Sequence, residues 1–177
     1  MTTGHVFMAM SLDGFVARED SDLDWLMKQR TDGEDHGYDA FMASVDGLVM
    51  GSGSFRTILT FDAWPYEKPV IVLTKTLKPK DIPEELRDKV SVSTLSPKQL
   101  MASLSEQGWK RAYIDGGKII QSFMREGLIT DMTVTAVPIL IGEGKRMFGD
   151  LDADIDLQLL ESKSFPSGLI TSRYEVS

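Results

Sequence analysis

Three apolar stretches in this chain each run straight into small, polar or glycine-rich residues. Leu48-Val49-Met50 is followed by Gly51 to Ser54, Pro69 to Leu73 by Thr74-Lys75, and Ala112-Tyr113-Ile114 by Asp115-Gly116-Gly117. Each stretch is short and lacks polar alternation, as strands covered on both faces do. Helical patterns separate them: Ser54 to Thr60, a segment opened by Ser96-Pro97 that ends near Gly108, and Lys118 to Arg125. Serine as N-cap and proline in the first turn start the second of these well. Strands alternating with helices predict a three-layer α/β fold, with a mostly parallel central sheet and helices on both faces. Ligands of such sheets sit outside the carboxyl ends of the strands, so the three segments are expected side by side on one rim.

The rest of the chain fits that plan. Val6 to Met10 reads as a strand ending in the turn Ser11 to Gly14. Leu23 to Gln29 reads as a short helix, Thr31 to Gly37 as a loop and Tyr38 to Ser44 as a second helix. Val90 to Ser93 and Met132 to Val137 are further strands. Asp156 to Phe165 and Leu169 to Val176 flank Pro166-Ser167-Gly168 and predict a closing antiparallel C-terminal hairpin. The 177 residues suit a single domain, 1–177, with a core drawn from a 42% hydrophobic composition. A net charge of -8 argues against nucleic acid and anionic membranes as partners. The absence of cysteine excludes disulfides and a thiol nucleophile. No secretory pattern opens the chain and no apolar run of about 18 residues interrupts it, so a cytoplasmic location is expected.

Each rim segment has its own chemistry. At Ile114 to Gly117, adjacent glycines before a helix let a ligand approach backbone N–H groups that favour phosphate, although a plain strand-to-helix turn looks the same. Met50 to Phe55 is similar, but Arg56 stands where a six-residue dinucleotide fingerprint needs glycine, and a simple helix cap explains it equally well. Thr74 can donate a hydrogen bond and Lys75 brings a charge. Together they suit a phosphate on an adenosine ribose, favouring NADPH over NADH, although most lysines are merely solvated.

Five segments in order carry a family resemblance: Met10 to Ala17, Val49 to Phe55, Ile71 to Lys75, Ile114 to Gly117 and Pro138 to Gly144. The chain resembles the dihydrofolate reductase-like family, closest to small stand-alone members of the branch formed by the C-terminal reductase domain of riboflavin-biosynthesis proteins. The resemblance implies an NADPH-dependent reductase that passes hydride to a small heterocycle of pteridine or pyrimidine type. It places Ala9 at the nicotinamide carboxamide, Val16 in the loop closing over the cofactor, and Gly51, Ser52, Gly53 and Ser54 on its phosphates. Leu73, Thr74 and Lys75 would carry the adenine and ribose phosphate. Gly116, Gly117, Lys118 and Ile119 would lie beneath the pyrophosphate, and Gly142 to Gly144 near the site. Thr135 falls at the family's strand threonine. An insertion across Asp20 to Gly37 displaces the family's catalytic acid, for which Asp39 is the candidate, against a surface carboxylate favoured by the helix start. Trp25 and Phe41 are candidate substrate-binding walls. No Arg-rich segment lies between Asp20 and Ala43, so the phosphorylated ribosylamino-pyrimidine of the riboflavin branch is not secured as substrate. By analogy the chain would pair as a homodimer through the hairpin edge or the Pro138 strand. The alternative is a catalytically inactive NADPH-binding sensor or partner protein, or a module for another nucleotide such as a flavin.

Other polar groups carry less. Asp32, Glu34, Asp35 and His36 read as a solvated loop, and His5 is too distant from His36 for a zinc spacing, so no metal is expected. Asp13 reads as a turn residue. Met8, Met10, Met42 and Met50 read as core filler.

Overall fold

The computed structural model describes residues 1–177. One eight-stranded sheet organises the chain. Its central strand is β1 (Thr3–Ser11), flanked by β6 (Arg111–Asp115) and β7 (Ile129–Val137). Beyond β6 lie β3 (Gly47–Gly51), β4 (Val70–Leu73) and β5 (Val90–Ser93), and these six strands are all parallel. The expected hairpin is β9 (Leu157–Ser164) and β10 (Ile170–Val176). It continues the sheet beyond β7 by antiparallel pairing, and every residue of β9 is exposed. A two-stranded ribbon, β2 (Phe15–Ala17) with β8 (Lys145–Arg146), forms outside the sheet.

Side-chain alternation along the strands divides the core in two. One face carries Val6, Val49, Ile114 and Met132 under α4 (Pro97–Glu106) and α5 (Gly117–Arg125). The other carries Leu48, Met50, Val72 and Tyr113 under α2 (Tyr38–Ser44) and α3 (Ser52–Leu59). In α5 the buried residues Ile120, Phe123 and Met124 fall at i, i+3 and i+4, which gives the helix one apolar stripe. α4 begins with a capping box: Gln99 N–H donates to Ser96 Oγ at 3.4 Å and Ser96 N–H to Gln99 Oε1 at 3.1 Å. Of the four core-filler methionines, Met50 is buried outright and Met8, Met10 and Met42 pack against the two cores.

Several boundaries differ from expectation, with β1 starting at Thr3 and β7 at Ile129, three residues early in each case. α3 starts at Ser52, so Ser52 to Ser54 form its first turn rather than a loop before it. The helix expected at Leu23 to Gln29 contracts to α1 (Asp24–Met27). His5 is a satisfied core histidine: Nδ1 lies 2.9 Å from Asp131 Oδ2 and Nε2 2.8 Å from Thr3 Oγ1, tying β1 to β7. Burial pushes the Asp131 carboxyl up, but the His5 hydrogen bond and charge together with Arg111 hold it below its ordinary value.

Candidate active site

Parallel pairing brings the three rim segments together. Gly51 stands opposite Leu73, and Met50 opposite Asp115. A Cβ on Gly116 would lie 2.6 Å from Ser54 Oγ, so the starts of α3 and α5 touch. Gly116 holds φ 101°, which glycine adopts without strain. Gly53 faces outward, and Gly51 packs against Ile119, with 3.0 Å between a Cβ and Ile119 Cγ1. Thr74 is buried. Its hydroxyl accepts the N–H groups of Thr76 at 3.1 Å and Leu77 at 3.2 Å, so it shapes the loop after β4 as well as facing the rim. Lys75 and Lys118 are exposed on the same edge.

Gly117 has a different surrounding from the one expected of it. A Cβ there would strike the Arg146 carbonyl oxygen and approach Val16 Cγ2 at 3.4 Å. The β2–β8 ribbon therefore covers Gly117, and its small size serves the packing of that ribbon. Asp13 does more than make a turn. Its carboxylate accepts the N–H groups of Ile141 at 3.3 Å and Gly142 at 2.8 Å, joining the loop after β1 to the loop after β7. The Ser11 hydroxyl, with these backbone donors, holds Asp13 below the usual carboxylate range. Arg146 lies over the Phe15 ring at 4.8 Å.

Beside this rim, on the α2 face of the sheet, lies a cavity of about 280 Å³ lined by Phe7, Ala9, Leu26, Met27, Gln29, Thr31, His36, Thr135 and Leu169. Ala9 and Thr135 are register partners, so the expected nicotinamide and catalytic positions adjoin. Trp25 is fully buried next to this wall. It packs with Val137 and Leu169 against Ala9, and its indole Nε1 has no hydrogen-bond partner. A second cavity of about 430 Å³ shares Phe7 and His36 with the first and adds Phe41, Arg111, Lys163 and Arg173. The Phe41 ring lies tilted at 5.1 Å from Phe7 and edge-to-face at 5.0 Å from Tyr113.

The expected acid is not among these groups. Asp39 is exposed on α2 and lines neither cavity, because the helix packs Phe41 and Met42 on the sheet and turns Ala40, Phe41 and Ser44 to the second cavity. Two other polar groups are notable: Asp115 lies buried on the rim outside both cavities, and His36 lines both. Asp115 is the only buried carboxyl, and burial raises it to about 6. Strand alternation sets it on the face of Tyr113, and its position directly before Gly116-Gly117 is the signal in the sequence. His36 comes from the insertion. Its Nε2 lies 3.0 Å from Glu34 Oε2, and its Nδ1 3.4 Å from Thr171 Oγ1, which is 2.7 Å from Thr135 Oγ1. Glu34 in turn accepts the backbone N–H and the hydroxyl of Ser167, both at 2.8 Å. The loop expected to be solvated is thus pinned to the hairpin, and it delivers a histidine to both cavities.

Residues 2–171 match the RibD C-terminal domain family. A crystal structure from Shewanella sp. PV-4, provisionally described as a riboflavin biosynthesis protein, is 37% identical, superposes with a TM-score of 0.92 and aligns over 99% of each chain. A diaminohydroxyphosphoribosylaminopyrimidine deaminase/5-amino-6-(5-phosphoribosylamino)uracil reductase from Thermotoga maritima superposes at 0.75 over 99% of this chain and 57% of its own. At 13% identity it speaks for the fold alone. The uncharacterized Bacillus subtilis protein YwjB is 28% identical over 164 residues, 90% of each chain. The rim, the strand order and a family match across nearly the whole length agree: this chain belongs to the RibD C-terminal domain family, on a dihydrofolate reductase-like fold.

Proposed function

We propose that the protein is an NADPH-dependent reductase acting on a small heterocycle of pyrimidine or pteridine type. The observation that carries this reading is the convergence of Ser52 to Ser54, Thr74 and Gly116 on one rim, directly beside a cavity walled by Ala9 and Thr135. Family membership supports it.

The residues present suit the cofactor. The backbone of Gly51 to Ser54 and Gly116 would hold the diphosphate, with Gly53 open to the outside. Thr74 and Lys75 would hold the adenosine ribose phosphate. Ala9 and Val16 would border the nicotinamide, where the buried Trp25 keeps an unpaired N–H donor. The bound dinucleotide supplies the hydride. The chain's own part is to seat the heterocycle against Ala9 and Thr135, exclude water with the apolar wall of Phe7, Leu26 and Leu169, and manage a proton. His36, which lines both cavities, would carry that proton; Asp115, raised to about 6 by burial, lines neither cavity. Arg111, Lys163 and Arg173 reach the second cavity from three separate strands. Asp35, Asp131 and Glu161 line the same cavity, and Arg111 lies 4.0 Å from Asp131, so the lining is of mixed charge and suits a polar substrate arm. The same reading extends to assembly: β9 exposes Leu157, Leu159 and Leu160 on a free sheet edge, which suits pairing with a second copy.

The test is NADPH oxidation against a panel of dihydrofolate, dihydropterins and phosphorylated pyrimidine nucleosides, run beside titrations with NADPH, NADH and FMN. Turnover of one heterocycle with NADPH is expected. Binding of FMN but not NADPH would refute the reading. Tight NADPH binding with no turnover on any member would favour a sensor on the same fold.

A further inference from the structure

The insertion across Asp20 to Gly37 brings a carboxylate along with its histidine. Its last stretch is folded by local turns: the Glu34 N–H donates to the Thr31 carbonyl at 3.0 Å and the Gly37 N–H to Asp35 Oδ1 at 2.8 Å. These turns set Glu34 against the hairpin, with 9% of its side chain exposed. Ser167 donates to both carboxylate oxygens, its N–H to Oε1 and its hydroxyl to Oε2. Burial raises the Glu34 carboxyl, but the Ser167 donors and His36 together hold it below its ordinary value.

An ionised carboxylate offers only acceptors, and this fixes the chemistry of His36. Its Nε2 lies 3.0 Å from Glu34 Oε2, so Nε2 carries a hydrogen. The Phe165 ring, 4.0 Å away and tilted by 33°, restrains the imidazole. Nδ1 is left as the nitrogen that gains and loses a proton, and it faces Thr171 Oγ1 at 3.4 Å. Thr171 is the register partner of Thr135, and their hydroxyl oxygens lie 2.7 Å apart. Thr135 lines the first cavity and Thr171 the second, so a file of exchangeable protons runs from Glu34 to the wall where the heterocycle would sit. Ser167 already ties the loop to the hairpin with two hydrogen bonds. The third bond of Glu34 acts on a group that borders both cavities.

We infer that Glu34 is a positioning residue: it keeps the Nε2 hydrogen of His36 on its carboxylate, so that Nδ1 passes protons through Thr171 and Thr135 to the substrate. This rests on the reductase reading above. Reduction of a C=N bond by hydride forms a C–H bond and leaves the π electron pair on nitrogen. That nitrogen takes the Thr135 hydroxyl proton, Thr135 takes that of Thr171, and Thr171 takes one from Nδ1 of the imidazolium. His36 ends neutral, and solvent in the second cavity returns its proton.

Two measurements test this, with a thermal melt of each variant as a control on folding. The chain has two histidines, His5 and His36, so NMR shifts of the imidazole nitrogens resolve them, and His36→Gln assigns the signals. Neutral His36 should carry its hydrogen on Nε2 alone in the wild type and as a mixture of tautomers in Glu34→Ala. A hydrogen on Nδ1 in the wild type, or the same tautomer population in Glu34→Ala, overturns the inference. The second measurement is NADPH oxidation with the heterocycle that the wild type turns over fastest. Thr171→Val should lower kcat about a hundredfold, the low end of what a positioned acid contributes, and leave KM for NADPH unchanged. Thr171→Ser should recover most of that loss. A Thr171→Val protein as fast as the wild type, or a Thr171→Ser protein as slow as Thr171→Val, overturns the inference while leaving the reductase reading in place. A wild type that oxidises NADPH with no heterocycle removes that reading, and the proton path with it.

Discussion

Replacing Gly116 by alanine tests the geometry of the rim with a single methyl group. The residue holds φ 101° and ψ 138°. That region is essentially closed to side chains, and a non-glycine residue there costs of order 1–3 kcal/mol. The added methyl would also lie 2.6 Å from Ser54 Oγ. This is about 1 Å inside ordinary contact. Ser54 must leave its preferred rotamer, at a further cost of about 1 kcal/mol. Together the two effects come to about 2–4 kcal/mol, which in a domain of this size lowers the melting temperature by roughly 5–15 °C. Circular dichroism melts of Gly116→Ala, Ser54→Ala and the double variant measure both parts. The double variant should regain the share due to the Ser54 clash and keep the share due to φ. A single variant melting within about 2 °C of wild type would refute the backbone conformation. A double variant no more stable than Gly116→Ala would show that Ser54 is not what the methyl meets.

Three further outcomes follow from other parts of the molecule. Lys75→Ala should narrow the ratio of NADH to NADPH dissociation constants about tenfold while leaving NADH affinity unchanged; an unaltered ratio removes Lys75 from the site. Asp115 is raised by burial to about 6 in the folded chain. Unfolded it titrates near about 3.9, so the folded state carries the extra proton between these values and stability falls as pH rises through them, by up to about 3 kcal/mol. Asp115→Asn should remove that decline in urea unfolding between about pH 4 and pH 7, and equal slopes in the two proteins would contradict the burial. Leu159→Glu, on the exposed strand β9, should convert a homodimer to a monomer in light scattering, whereas a wild type that is already monomeric would refute pairing through this edge.

Much of this architecture is readable from the residues because strands and rims obey local rules. Val90 to Ser93 is a strand with the bounds expected of it, and the hairpin around Pro166 to Gly168 falls where expected. Alternation and turn chemistry act within a few residues, so a single sequence displays them. The start of α3 is harder to read, because Ser52-Gly53-Ser54 has the composition of a loop, yet it forms the helix's first turn against the start of α5. The β2–β8 ribbon is three residues against two, too short to leave a periodic trace, although it covers Gly117. Asp39 illustrates a different limit: a helix start favours an acid whichever way the helix then faces. His36 and the cluster of Arg111, Lys163 and Arg173 meet only through pairings across distant strands, which no contiguous motif records.

The proposed function requires the ends of β3, β4 and β6 to bind phosphate as one edge. Amide hydrogen exchange with and without saturating NADPH measures it directly. Protection concentrated in residues 51–54, 74–76 and 116–119 is the predicted result. Binding that protects the hairpin and leaves all three segments unchanged would contradict it.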